Sequence, residues 1–519
     1  MKPIRLMAGF FTVGIWTLLS RILGFVRDIL IAAFLGTGPI AEAFLVAFSL
    51  PNLFRRFFAE GAFNMAFVPM FSKKLEADDD ALKFAQDTFV FMSVLLTLFT
   101  ILGVILMPLL VTAMAAGFIG DERFDLAVTY GRIAFPYILF ISLAALLSGV
   151  LNATGRFAAA AAAPVLLNVV FLLALLAATL LPVDLPDPAQ LTGLSLAWAV
   201  PLAGIAQLVL VWIAAARAGF PLRLGRPKWT PQIKRLALIA APAALAGGVV
   251  QINLLIGRQV ASFFDGAVAW LNYADRLYQL PLGVVGIAIG VVLLPDLSRR
   301  LRAGDTKGGR DAFNRAAEIS LALTIPAAVA LVVIPIPLVS VLFERGAFTT
   351  DDTMATAMAV AVYGLGLPAF VLQKALQPLF FAREDTRRPF YYALAAMVLN
   401  AALAIGLSPV IGFIAAAIGT TRTGWATVWM LWRGARDMGE AASFDDRFRG
   451  RLWRIVLASL GMGLVLWLAM LLVGPWLAVP TIRYLALALL IFTGIASYFA
   501  LAQAIGAFRI SDVRAALRR

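Results

Sequence analysis

The stretch SRILGFVRD at residues 20–28 decides how the rest of the chain is interpreted. It lies inside an apolar run at 7–35, which can cross a bilayer because about 20 residues suffice. At about 100° per residue, its polar side chains fall within one arc of a helix and its apolar side chains fill the opposite side. The pattern predicts a membrane helix with one polar face, formed by Ser20, Arg21, Gly24, Arg27 and Asp28.

Two interpretations of this polar face are open. We favour a helix that lines a water-filled cavity, in which the guanidinium groups of Arg21 and Arg27 face an anion. The alternative is a pair of arginines that extend toward the membrane surface, together with a structural pair between an arginine and Asp28. The arginines lie well inside the run, where a charge costs roughly 3 kcal/mol, and this position favours the cavity.

Composition places the chain among integral membrane proteins. Of its 519 residues, 62% are hydrophobic and only 14% are charged. The sequence has no cysteine and no histidine, which excludes disulfides, zinc clusters and histidine-based catalysis. A metal would need oxygen ligands, and no cofactor is expected. The net charge of +14 is explained by basic cytoplasmic loops, so nucleic acid is not an expected partner.

Hydropathy predicts about fourteen membrane-spanning segments in an all-α polytopic protein. Lysine and arginine concentrate in the connections on the side of the N-terminus, so both termini are expected to be cytoplasmic. No signal peptide is visible, so the first helix is expected to be retained. The predicted segments are 7–35, 41–68, 87–116, 128–151, 160–182, 189–216, 235–257, 266–297, 313–343, 353–379, 389–411, 412–433, 452–475 and 481–508.

The chain repeats itself with a period of about 230 residues. Residues 41–75 parallel residues 268–301, and Asn168 recurs as Asn400. Two six-helix lobes related by an internal repeat are typical of transporters whose site lies between the halves. Because six helices return the chain to its starting side, the repeat is expected to be parallel.

This repeat predicts four regions along the chain. Two are lobes, one is a basic cytoplasmic linker whose charge suits anionic lipid headgroups, and the last contributes two additional helices. They are 1–216 for the N-lobe, 217–235 for the linker, 236–440 for the C-lobe and 441–519 for the additional helices.

The second helix of each lobe also carries charge. In the N-lobe, Glu60 is placed to pair with Arg56 at i,i+4, which leaves Arg55 about 100° away for a ligand. In the C-lobe, four polar residues share one helical face at the spacing i, i+3, i+4, i+7. They are Asn272, Asp275, Arg276 and Gln279. The alternative for Asp275 is a simple partner that neutralises Arg276.

Arginines from both lobes are therefore expected to converge on an anion. The planar guanidinium suits phosphate, because it donates two parallel hydrogen bonds. The predicted anion-binding residues are Arg21, Arg27, Arg55 and Arg276. The predicted supporting polar residues are Ser20, Asp28, Glu60, Asn272, Asp275 and Gln279.

Four motifs give the chain a close resemblance to a known family. They are SRILGFVRD (20–28), LPNLFRRFFAEGAFNMAFVP (50–69), NYADRLYQLPLGVVGIAIGVVLLP (272–295) and FYYALAAMVLN (390–400). The chain resembles the MurJ (MviN) lipid II flippase family of the MOP exporter superfamily. The resemblance implies a non-enzymatic inner-membrane protein of peptidoglycan synthesis and cell shape. Such a protein moves lipid II from the cytoplasmic to the periplasmic leaflet by alternating access, with a lipid-tail groove in its last two helices.

The resemblance also bears on metal binding. Some relatives bind sodium between helices seven and eleven, with an Asp one turn after an Asn. Here Asn400 is followed one turn later by Ala404, so no metal is expected, and a weak sodium site near Asn400 is the open alternative. Glu42, Ser49 and Gln279 are further departures from residues frequent in the family.

Other functions remain as alternatives. They are a cation-coupled multidrug-type exporter, a flippase for another polyprenyl-diphosphate-linked glycan, a membrane enzyme acting on a polyprenyl diphosphate, and a scaffold for division proteins. The basic cavity disfavours the exporter, since a cation carrier needs buried carboxylates. The expected partners are lipid II and membrane lipids, with cell-wall synthesis or division proteins as further candidates, and the expected state is a monomer.

Overall fold

The structure, a computed structural model, describes residues 6–55, 62–77, 79–180 and 188–507. Within that range, only the backbone is described at 6–11, 62–63, 65, 241–250, 252, 254, 284–292, 294–295, 301–302 and 441. The described residues form helices joined by short connections, and no strand occurs among them. The predicted all-α polytopic fold is therefore confirmed, while the number of membrane crossings stays a prediction.

Eighteen α-helices make up the described chain. In order, they are α1 (Leu6–Leu35), α2 (Pro39–Arg55), α3 (Ala62–Glu76), α4 (Ala81–Ile105), α5 (Met107–Met114), α6 (Glu122–Ala134), α7 (Tyr137–Ala153), α8 (Phe157–Leu180), α9 (Pro188–Arg217), α10 (Pro231–Ala261), α11 (Ala267–Arg302), α12 (Thr306–Val333), α13 (Pro335–Phe343), α14 (Thr350–Phe381), α15 (Arg387–Ile411), α16 (Ile414–Ala435), α17 (Asp446–Leu477) and α18 (Arg483–Ala504).

Prolines explain three of the four divisions by which the helices outnumber the predicted segments. Breaks separate α4 from α5, α6 from α7, and α12 from α13, next to Pro108, Pro136 and Pro335 respectively. Proline lacks the N–H of the helical ladder and clashes with the preceding turn, so a helix ends there or restarts. The predicted segment 41–68 is described as α2 and α3, on either side of residues 56–61.

The internal repeat is visible in where helices begin and break. The break at Leu106 recurs at Ile334, and the start of α6 at Glu122 recurs at the start of α14 at Thr350. Both pairs are separated by nearly the same interval, close to the period of the sequence repeat. The order of elements from α1 to α9 therefore corresponds to the order from α10 to α16.

The chain forms two compact units. The first contains the described residues up to Ala269 together with Arg345–Phe348, and the second contains Trp270–Glu344 and the described residues from Thr349 onward. In the first unit, α1 packs along α8, α8 and α7 pack on α9, and α2 packs on α6. Helix α10 packs against α3 in the same unit. The lobe boundaries read from the sequence stay predictions.

Two glycines permit a close backbone contact at the end of α1. The N–H of Ala347 donates to the carbonyl of Ala33, with 2.8 Å between N and O. Gly36 (φ +62°) and Gly346 (φ +58°) flank this bond in left-handed conformations that favour glycine. A Cβ on Gly36 would overlap the carbonyl of Ala347, and a Cβ on Gly346 would overlap that of Ala33. Only glycine fits at both positions.

In the second unit, α14 lies between α12 and α16, and α15 packs on α16. Buried Phe313, Leu379 and Phe380 belong to its core. Helices α17 and α18 pack on each other, and α17 packs on α12. Buried Met462 of α17 and Tyr498 of α18 join one apolar cluster with residues of α12, which attaches the additional helices to the repeat.

Candidate functional site

The charged stretch at residues 20–28 contains a buried ion pair in the first unit. Arg27 and Asp28 lie on α1 and are 6% and 7% exposed. Nε and Nη2 of Arg27 both donate to Oδ1 of Asp28, at 3.0 and 2.8 Å. The structural Arg–Asp pair that sequence analysis held as an alternative therefore exists. A buried pair of this kind fixes the direction of the guanidinium at a cost in desolvation.

Helix α8 completes the surroundings of Arg27. Nη1 of Arg27 donates to Oδ1 of Asn168 at 3.0 Å, and Asn168 is itself buried. The guanidinium carbon lies 5.8 Å from the ring centroid of Phe48 and 5.3 Å from that of Phe171, close enough for cation–π attraction. Arg27 is thus held by a carboxylate, an amide and two aromatic rings.

Asn168 also ties α8 to the backbone of α1. Its Nδ2 donates to the carbonyl of Ser20 at 2.9 Å and approaches the Ser20 hydroxyl at 3.3 Å. Gly24 lies at the crossing, where an added Cβ would meet the Asn168 amide at 3.5 Å, an ordinary van der Waals distance. Sequence analysis identified Asn168 only as a repeat position. Its site role depends on a contact 141 residues from Arg27, which local spacing does not reveal.

The remaining predicted residues of the first unit have different surroundings. Arg21 is exposed on α1, whereas Arg27 is buried, so the two arginines do not share one environment. Ile22 and Val26, which were predicted to lie on the apolar side, are exposed as Arg21 is, so a shared polar face for Arg21 and Arg27 stays a prediction. Arg55 is half-buried at the end of α2, and Glu60 lies outside the described residues.

The predicted residues of the second unit lie on one face of α11. Asn272, Asp275 and Arg276 are half-buried and Gln279 is exposed. The side-chain amide of Gln279 donates to the carboxylate of Asp275 one turn earlier, so these two side chains share the predicted face. Convergence of Arg276 with the arginines of α1 and α2 stays a prediction.

The position considered for sodium is tightly packed. Asn400 of α15 is 1% exposed, and Ala404 one turn later is fully buried. A Cβ on Gly419 of α16 would come within 2.8 Å of Oδ1 of Asn400. Ala404 presents a methyl group where an oxygen ligand would be needed, so this donor set is poor for a hard cation.

A second charged cluster in the first unit was not predicted. Arg123 of α6 is 6% exposed and bonds to Glu42 of α2 at 2.9 Å and to Asp121. Glu42 also accepts from the backbone N–H of Val268 at 2.9 Å. Asp265 approaches Arg123 at 2.9 Å, but its side chain is 93% exposed, so solvent screens that pair. The sequence feature that could have indicated this cluster is Arg123 itself, which lies in a connection otherwise poor in basic residues.

The Asp121 carboxyl lies before the first turn of α6, outside the spanning helix. Burial alone would raise its pKa, but hydrogen bonds from the backbone N–H and the guanidinium of Arg123 lower that pKa below its usual value. Asp121 is therefore an ionised partner of Arg123, and the cluster joins α2 to the start of α6.

Sequence comparisons assign the chain to a family. The family model described as "Lipid II flippase MurJ" matches residues 31–511. A relative named "Probable lipid II flippase MurJ" from Rhizobium meliloti (strain 1021) is 44% identical over 530 residues, covering 99% of this chain and 96% of the relative.

Solved structures agree with this assignment. A structure titled "Lipid II flippase MurJ, inward closed conformation" is 25% identical, with a TM-score of 0.78, and covers 95% of this chain and 98% of its own. An inward-facing multidrug resistance MATE family transporter of the MOP superfamily has a TM-score of 0.66 at 14% identity, covering 81% of this chain and 95% of its own. That second likeness shows the fold alone. Because the family model matches residues 31–511 and the Rhizobium meliloti relative is 44% identical over almost the whole chain, this multi-pass membrane chain belongs to the MurJ lipid II flippase family.

Proposed function

We propose that this chain moves lipid II from the cytoplasmic to the periplasmic leaflet of the inner membrane. The observation that carries the proposal is the oriented guanidinium of Arg27, buried inside an apolar helix and held by Asp28 and Asn168. A cation kept at such a depth has a cost that function explains better than stability does. Lipid II offers a diphosphate, which is the anion a planar guanidinium suits.

The proposed diphosphate site uses Arg27 together with Arg21, Arg55 and Arg276. The Asp28 carboxylate offsets the positive charge of Arg27. This weakens the electrostatic attraction of the site for the diphosphate, so that the bound anion can be released. Arg21 is exposed and can meet a headgroup that enters from water. As water leaves a closing cavity, the attraction between guanidinium and phosphate increases because the effective dielectric constant falls.

Transport by alternating access follows if the bound diphosphate favours one state over the other. A ligand shifts a conformational equilibrium only through its different affinities for the two states. We propose that the arginines supply this difference by gathering around the anion in one state and separating in the other. A lipid II variant without the diphosphate should therefore bind weakly and leave the equilibrium unchanged.

The orientation proposed here places both termini in the cytoplasm. The native chain has no cysteine, so single substitutions can be labelled without background. A membrane-impermeant thiol reagent added from the periplasmic side should label Gln190→Cys and leave Lys228→Cys unlabelled. The reverse pattern would contradict the orientation.

Purified protein in vesicles tests the transport function directly. Fluorescent lipid II placed in one leaflet should become accessible to a reagent on the other side, and Arg27→Ala should abolish this transfer. In cells, depletion of the protein should trap lipid II on the cytoplasmic face. Normal transfer by Arg27→Ala would remove the basis of the proposed site. Uptake of a cationic drug without transfer of lipid II would instead favour a multidrug-type exporter.

A further inference from the structure

The connection between α9 and α10 is an ordered segment, here called the strap, that comprises residues 218–230. Phe220 and Leu222 are buried, and Nε1 of Trp212 donates to the Leu222 carbonyl at 2.9 Å. Gln86 of α4 pairs with both backbone groups of Arg223: its Oε1 accepts from the N–H at 2.9 Å, and its Nε2 donates to the carbonyl. The strap is therefore fixed to α4 and α9 through its backbone and its buried side.

The opposite side of the strap is basic and partly apolar. Arg223, Arg226 and Lys228 are exposed, and Leu224 and Trp229 between and beside them are 69% and 62% exposed. Residues 217–235 contain no Asp or Glu, so no carboxylate of the segment itself neutralises these cations. The hydrogen bonds that hold the backbone of the strap do not use these five side chains.

We propose that the strap is a binding site for anionic phospholipid headgroups at the membrane surface. Arg223, Arg226 and Lys228 would contact lipid phosphates, while Leu224 and Trp229 enter the boundary between headgroups and acyl chains. Helices α9 and α10 are long and apolar, so the ends that the strap joins lie near the boundary between headgroups and acyl chains. Tryptophan is enriched at that depth, and basic residues beside a membrane helix attract anionic lipid.

An anionic lipid fits these side chains better than an acidic protein does. A protein partner would have to cover an exposed leucine and an exposed tryptophan that lie beside the ends of two membrane helices, where lipid already covers apolar surface. The ring of Trp229 also packs on Phe91 of α4, with 5.4 Å between centroids, so the orientation of this anchor is set before binding. In the orientation proposed above, the lipid belongs to the cytoplasmic leaflet.

The test measures which lipid lies beside the strap in the full-length protein. Gly225→Cys provides a unique site for a fluorescent label, since the native chain has no cysteine. The side chain fits there, because a Cβ at this position meets only Val90, at 3.8 Å. The labelled protein is placed in phosphatidylcholine vesicles that contain phosphatidylglycerol, and spin-labelled forms of the two lipids are compared as quenchers at equal amounts. Phosphatidylglycerol should quench about twofold more than phosphatidylcholine, and salt should reduce the difference.

Two triple variants decide the origin of the effect. Arg223→Gln with Arg226→Gln and Lys228→Gln should abolish the preference for phosphatidylglycerol. The matched control removes three exposed cations of the second unit, by Arg299→Gln, Lys307→Gln and Arg387→Gln, and should retain it. Equal quenching by the two lipids in the parent, or a preference that survives in the strap variant, would overturn the proposal. Preferential quenching by spin-labelled lipid II without any preference for phosphatidylglycerol would also overturn it.

Lipid II transfer is measured in the same vesicles, so the two proposals can fail separately. Lipid preference at the strap with no transfer would leave the strap proposal standing and contradict the flippase proposal. Transfer of lipid II without any lipid preference at the strap would leave the flippase proposal standing and contradict the strap proposal.

Discussion

Asn168 and Asn400 occupy the same position in the two copies of the internal repeat, but their surroundings differ. Asn168 of α8 accepts from Arg27 and donates to the Ser20 carbonyl, and so connects two helices through a buried charge. Asn400 of α15 lies against Gly419 and Ala404, where small residues allow helices to approach closely. One copy uses the asparagine to orient an ion pair, and the other places it in a tightly packed contact.

The difference shows how a repeated architecture acquires one specialised half. A repeat conserves where helices begin and break, because proline and capping positions act locally. The chemistry at an equivalent position depends on which helix packs beside it, and here α1 packs on α8 whereas its counterpart α10 packs on α3. Equivalent residues therefore need not have equivalent functions.

Removing the charge that Asn168 orients should have the largest effect. Arg27→Ala removes one member of a buried ion pair and leaves the Asp28 carboxylate without the Arg27 guanidinium, which costs roughly 3–5 kcal/mol of stability. We expect complete loss of growth when this variant replaces the flippase of a depleted strain, with a lower unfolding temperature. Adding Asp28→Ala should restore the unfolding temperature and leave growth absent. Growth restored by the double variant would mean that the pair is only structural.

The comparison itself predicts unequal effects of removing the two asparagines. Asn168→Ala removes a hydrogen bond to a charged group, worth about 1.5–3 kcal/mol, so lipid II transfer should fall about ten- to a hundredfold. Asn400→Ala is the matched control and should change transfer less than about twofold, since the hydrogen bond that orients Arg27 belongs to Asn168. Transfer assays in vesicles measure both. Equal losses would show that the two halves are functionally symmetric.

Arg21 and Arg27 provide a comparison within α1, between an exposed and a buried cation. Arg21→Lys keeps the charge but loses the planar pair of donors, so transfer should fall about three- to tenfold, the worth of one or two hydrogen bonds. The unfolding temperature should not change, because Arg21 is exposed. Transfer equal to that of the parent would mean that Arg21 contributes only its positive charge and no directed hydrogen bonds.

Glycine substitutions beside the two asparagines should have the smallest effect on transfer. For stability, the contact at Asn400 should be more sensitive than the contact at Asn168. Gly419→Ala forces its Cβ toward Asn400 and should destabilise the protein by about 1–3 kcal/mol through overpacking. Gly24→Ala meets Asn168 at a normal contact distance and should be nearly neutral in thermal unfolding. Both should transfer lipid II within about twofold of the parent, as expected when packing alone changes. A larger destabilisation by Gly24→Ala would contradict the described geometry of the first contact.

Much of the fold could be predicted because its signals are local. Hydropathy located the helical segments, and the repeat was readable from Asn168, Asn400 and the matching second helices. Helix breaks were not predicted, although Pro108 and Pro335 were visible, because a proline within an apolar run can kink a membrane helix without ending it.

The candidate site was less predictable because its partners are distant in sequence. Helical spacing placed Arg27 and Asp28 on one face, and the structure shows them paired. It could not show that Asn168 and two phenylalanines surround Arg27, since these contacts depend on how helices pack. The Arg123 cluster escaped for the same reason: its carboxylate on α2 lies 81 residues away.

The contact between Ala33 and Ala347 has a consequence for drug resistance. It is made by peptide groups, and Gly36 and Gly346 leave no room for a side chain on either strand of backbone. An antibiotic that recognised this contact would bind main-chain atoms, which a point mutation cannot replace. Substituting either glycine would force the two backbone segments apart, so a mutation that altered this binding surface would also alter the structure of the target.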